Sequence, residues 1–150
     1  MRRWLWGLLA CGAILAGIGW AWPSAETPAR GANAADSRQV ARGEIVYRDY
    51  CAACHGANLE GQPAWRTRKP DGRLPAPPHD ATGHTWHHSD AQLFALTKQG
   101  VVPPLAPEGY ESDMPGFAAS LSDAEIWAVL AYIKSRWPAD IQARQAALGR

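Results

Sequence analysis

Two cysteines and a histidine fall within five consecutive residues, Cys51-Ala52-Ala53-Cys54-His55. Thiols one helical turn apart suit addition to the vinyl groups along one edge of a porphyrin, and the adjacent imidazole then comes under the iron as an axial ligand. Two other chemistries use paired thiols. A zinc site needs a second ligand pair, and no cysteine follows Cys54. A dithiol redox motif belongs in a βαβ context, whereas the flanking pattern here is helical. The spacing therefore points to one covalently bound haem c, held through Cys51 and Cys54 with His55 on its iron.

Such an iron takes a sixth ligand or keeps an open position. Apart from the initiator, Met114 is the only methionine, in Asp113-Met114-Pro115-Gly116-Phe117 after a loop containing Pro103, Pro104 and Pro107. Pro115 disfavours helix at the residue before it, so the thioether can be held out toward a metal. The alternative is a methionine filling a gap in the core. Met/His ligation raises the reduction potential and leaves no room for substrate, the combination of an electron carrier.

The elements that must position these groups are helical. Val40, Val46, Tyr47 and Tyr50 recur at offsets of three, four and seven, which predicts a helix over residues 37–50 running straight into the haem motif. Gly43 inside it suggests close approach of a second helix. The expected partner starts at the capping box Ser122-Asp123-Ala124-Glu125, carries Ile126, Val129, Leu130 and Ile133 on one face, and stops before Pro138. A third helix opens at Ser89-Asp90-Ala91-Gln92 and closes at Gly100. No stretch alternates with period two, so the expectation is an all-α fold: three main helices around one haem, with a long proline-rich loop and an N-terminal hydrophobic segment.

The chain has 150 residues, 47% apolar and 19% charged, the size and composition of one globular domain. Its net charge of +1, with scattered Lys and Arg, argues against nucleic acid as a partner. Arg2 and Arg3 precede an uncharged run over residues 4–22, flanked by Trp4, Trp6, Trp20 and Trp22. That run is long enough to span a bilayer, with its positive flank on the cytoplasmic side. Residues 1–22 thus read as a membrane anchor that places the rest of the chain on the far side of the membrane from the cytoplasm. A cleaved signal segment is the alternative, with small-residue sites at Gly19-Trp20-Ala21 and Ala32-Asn33-Ala34. Lipidation of Cys11 is a third. Residues 23–36 read as a linker, 37–138 as the haem domain and 139–150 as a tail.

Taken together, Gly43, Tyr47, Cys51-Ala52-Ala53-Cys54-His55-Gly56, Met114-Pro115 and Leu130-Ala131-Tyr132-Ile133-Lys134 resemble a bacterial mono-haem class I cytochrome c over about residues 37–137. The resemblance implies thioethers at Cys51 and Cys54, axial ligation by His55 and Met114, and a crossing of first and last helices at Gly43, Tyr47 and Tyr132. It further implies a proline carbonyl that accepts the His55 Nδ1 proton. Pro63, Pro70, Pro75, Pro77 and Pro78 all lie downstream.

The loop over residues 62–88 is longer than in compact family members. Arg66, Arg68, Lys69, Arg73 and Trp86 are its candidate donors to the haem propionates, with Trp86 and Arg73 the preferred pair. It also holds His79, His84, His87 and His88, for which the readings are local hydrogen bonding, a copper or zinc site, or an alternative iron ligand. The expected function is single-electron transfer between redox proteins such as membrane oxidases or dehydrogenases, not enzymatic catalysis. The rivals are a haem enzyme or a gas or sulfur-ligand sensor with a labile sixth position, and copper handling through the histidine loop.

Overall fold

The structure is a computed structural model that describes residues 30–149; the N-terminal apolar run and Cys11 lie outside the described residues. Among the described residues there is no strand, as the absence of period-two patterning leads one to expect. Helix α1 spans Ser37–Val46, and the Asp36 side chain caps it by accepting from the backbone N–H groups of Arg38 and Gln39. The chain then widens into a five-residue π-turn, Tyr47–Cys51, before the short helix α2, Ala52–His55. The helix expected over residues 37–50 is present and runs into the haem motif, but its last turn is widened. Apolar spacing does not distinguish a widened turn from an ordinary one, and such turns recur at functional sites.

Helices α3 (Asp90–Gln99) and α4 (Asp123–Ser135) each begin with a reciprocal capping box, Ser89 with Gln92 and Ser122 with Glu125. A fifth helix, α5 (Ala139–Ala146), follows Pro138, and three-residue 3₁₀ turns occur at Thr85–His87 and Ala147–Gly149.

The core forms where α1 meets α4. Ile126, Val129, Leu130 and Ile133 are buried on α4 against Val46 and Tyr47. A Cβ at Gly43 would overlap the Ala128 carbonyl, so the backbones meet where only a hydrogen fits. Beside that crossing the rings of Tyr47 and Tyr132 pack at 5.4 Å. Arg42 closes its rim with an ion pair to Glu125 at 2.5 Å. Helix α3 docks on α4 through the stacked rings of Phe94 and Trp127 at 4.2 Å and through ion pairs Lys98–Asp123 and Lys134–Asp90.

Both ends of the described chain are held on this core. Ala32 is buried, Gln39 Nε2 donates to the Gly31 carbonyl and Asn33 N–H donates to Gln39 Oε1, so the end of the expected linker packs onto α1. Gln145 of α5 is buried and donates to the His88 carbonyl and to Asp90. Among the described residues no helix is long and apolar enough to cross a membrane.

Candidate haem-binding site

The π-turn and α2 present the motif. Cys51 closes the widened turn and is half-buried, whereas Cys54, one helical turn later, is exposed. Both are free thiols. Burial, and after it the neighbouring Cys54, push the Cys51 thiol up to about 12. The Tyr47 hydroxyl donates to the carbonyls of Gly56 at 2.9 Å and His55 at 3.3 Å, fixing the end of α2 to the helix crossing.

His55 is buried, and its Nδ1–H donates to the Pro77 carbonyl at 2.8 Å. That bond fixes the tautomer and leaves the Nε2 lone pair for a metal. Of the five downstream prolines it is thus Pro77 that meets the imidazole. Gly61 makes this possible: at φ +69° it packs directly against Pro77 and Pro78, where a side chain would collide. Burial holds the His55 pKa below the usual histidine value, the opposing pull of the Pro77 carbonyl being smaller. A second imidazole lies behind the first. His79 stacks on His55 with ring centroids 3.9 Å apart and planes 23° from parallel.

The long loop is a folded hairpin. Its base is pinned by His79 N–H to the Leu59 carbonyl, its middle by Gln62 N–H to Ala76 O, and its tip by Lys69 N–H to Arg73 O. At that tip Lys69 Nζ and Arg73 Nη1 both donate to Asp113, at 2.5 and 2.7 Å, and Arg68 lies over the Tyr110 ring. Hydrogen bonds from Lys69 and then Arg73 hold the Asp113 carboxyl below its ordinary pKa.

Asp113 immediately precedes Met114. The half-buried Met114 donates its N–H to Ser112 Oγ, and the residues after it run along the last turn of α3, with Phe117 N–H bonded to Thr97 O and Ala118 N–H to Lys98 O. Gly100 and Gly116 meet backbone to backbone at this seam. Phe117 also packs edge-on against Tyr50 of the π-turn, so the methionine loop and the cysteine motif share a contact.

Two free thiols one turn apart, followed by a buried imidazole with one nitrogen tied to a carbonyl and the other spare, are a donor set suited to covalent haem. The cytochrome c family model matches residues 40–137, more than half of the chain. The chain belongs to the cytochrome c family. No curated protein and no solved structure matches it. The cytochrome is all-α, with the class I fold, and carries covalent haem c through the motif of Cys51 and Cys54.

The remaining candidates of this cytochrome divide by what they touch. Arg73 retains a buried Nε–H without a hydrogen-bond partner, 3.5 Å from Glu111. Trp86 donates its Nε1–H to the Ala81 carbonyl and stacks on His87. Arg66 lies over Trp65, which stacks on His84, and His84 meets the edge of His88. Among the described residues no group of three or more His, Cys, Asp or Glu side chains is arranged to hold a metal ion. Nothing local in the sequence distinguishes His79 from its three neighbours, or marks Asp113 or Trp137; the Trp137 indole N–H donates to the His79 carbonyl at 2.8 Å. All three act through contacts distant in sequence, which periodicity does not encode.

Proposed function

We propose that this cytochrome is a single-electron carrier whose iron is ligated by His55 and Met114, anchored at the periplasmic side of the inner membrane by residues 1–22, and that it passes electrons between membrane-associated redox proteins. The observation that carries the reading is the bond from His55 Nδ1 to Pro77 O, which leaves Nε2 as the spare nitrogen of a buried ring. The bound haem supplies an iron that cycles between ferric and ferrous. The chain's own residues do the rest.

Cys51 and Cys54 fix one edge of the porphyrin, and the Pro77 carbonyl raises the basicity of His55 and sets its tautomer. Met114 would be the second, soft donor to the iron, in a loop held by the seam with α3 and by the ionic grip on Asp113. An iron held by both His55 and Met114 would have no position left for substrate, which favours electron transfer over catalysis. The Arg73 Nε–H, without a hydrogen-bond partner and 3.5 Å from Glu111, supports its assignment to a haem propionate; Trp86 would take that role by exchanging its bond to the Ala81 carbonyl for one to the carboxylate. The anchor rests on the apolar run over residues 4–22, and a tether of this kind raises the effective concentration of the domain near membrane partners. Redox partners dock briefly over small interfaces.

The test is an optical redox titration of protein matured in a haem-competent host, together with fractionation of that host. A single one-electron transition, unchanged by added peroxide or nitric oxide, in a protein that requires detergent for extraction, supports the reading. A high-spin spectrum that moves with those ligands supports the sensor or enzyme alternative. A mature N-terminus at Trp22 or Ala35 removes the anchor.

A further inference from the structure

The Pro77 carbonyl constrains His55 along a single direction. A hydrogen bond tolerates a range of angles at the donor, so a ring held at Nδ1 alone can still swing its plane. The orientation of that plane against the porphyrin governs how the iron d orbitals split, and second-shell partners are what orient such ligands. His79 supplies the missing restraint. Its ring lies against the face of His55 at 3.9 Å, and four contacts hold it there. Thr85 Oγ1 hydrogen-bonds its Nδ1 at 2.9 Å, and Thr85 is itself buried. The Trp137 indole donates to its carbonyl, its backbone N–H bonds Leu59 O, and the Tyr47 ring closes its edge at 6.2 Å. Each of these partners except Thr85 belongs to the hydrophobic core, and Thr85 is buried, so the half-buried His79 ring is held from the interior side.

We propose that His79 is a positioning residue for the iron ligand: its stacked ring sets the plane of the His55 imidazole, and through that plane the electronic structure and potential of the iron. The proposal rests on the reading of His55 as ligand. The electron-rich face of a stacked ring against the imidazole favours the more positive, ferric state, so removing the stack raises the reduction potential. It also releases the ring, which changes the pattern of paramagnetic shifts of the four haem methyl groups in the oxidised protein. A role confined to filling space would leave that pattern unmoved.

The experiment compares the haem-loaded native protein with His79→Leu, His79→Phe and Thr85→Val, reading the methyl-shift pattern by NMR and the potential at fixed pH. The expected result is a reordered or rescaled methyl pattern with a raised potential in His79→Leu. His79→Phe, which keeps an aromatic face, stays near native. Thr85→Val, which frees the His79 ring, shifts in the same direction as His79→Leu by a smaller amount. Should His79→Leu fail to take up haem, Thr85→Val decides alone: a moved pattern supports the proposal and a native pattern overturns it. A His79→Leu protein with native shifts and native potential overturns the proposal while leaving His55 as ligand. A native protein without the low-spin imidazole signature overturns the ligand reading and the proposal with it.

Discussion

Arg73 Nη1 donates to Asp113 Oδ1 at 2.7 Å, joining the tip of the long loop to the residue that precedes Met114. Lys69 makes the second bond to the same carboxylate. These charges are partly exposed, and isolated surface pairs contribute little to stability. Their place beside the methionine gives them a different lever: they restrict how far the loop carrying the thioether can open. With Met114 on iron, the Lys69→Ala, Arg73→Ala double variant is expected to bind added imidazole at the ferric iron several-fold more tightly than the native protein, a size in keeping with exposed pairs. Salt screens such pairs, so the native affinity should rise with ionic strength while that of the variant stays flat. Spectrophotometric imidazole titrations at two salt concentrations check both.

The crossing of α1 and α4 makes a second prediction. A methyl group at Gly43 would enter the Ala128 carbonyl, so Gly43→Ala forces the helices apart despite its better helix propensity. Overpacking of this kind costs about 1–3 kcal/mol, and Gly43→Val costs more. The midpoint of denaturant unfolding of the haem-loaded protein, compared with native, measures it.

The start of α4 is sensitive to acid. Bonds from Ser122, and after them one from Arg42, hold the Glu125 carboxyl below its ordinary pKa. Because the folded value lies below the unfolded one, this stabilisation is complete above the unfolded carboxylate range, near pH 4.3, and is lost as pH falls through the folded value. Glu125→Gln should therefore lose stability at neutral pH and show a shallower decline on acidification. Ser122→Ala removes the cap at all pH values, at a cost of about 1 kcal/mol. Denaturant midpoints between neutral and acid pH distinguish the two.

Much of this architecture was legible before the structure because its signals are local. The motif Cys51-Ala52-Ala53-Cys54-His55, the capping boxes at Ser89 and Ser122 and the stop at Gly100 each lie within a few residues, where spacing and backbone chemistry act. Gly43 was readable as a contact because a glycine inside a helix calls for a reason, and α4 offered a long apolar face to meet it. The loop was not readable in the same way. Whether Pro77 or Pro75 reaches His55 depends on the hairpin formed between Gln62 and Ala76, and four histidines in ten residues look alike until Thr85 and Trp137 single out His79. Arg73, read as a propionate donor, spends part of its guanidinium on Asp113, forty positions away, which no local pattern announces.

The most direct test of a His55 and Met114 pair is the far-red absorption of the oxidised protein. Sulfur ligation of ferric haem c gives a weak band there. The account predicts that band in the native cytochrome and its loss in Met114→Ala, with the covalent haem at Cys51 and Cys54 still present by mass spectrometry. A native protein without the band, or a Met114→Ala protein that keeps it, would contradict the account.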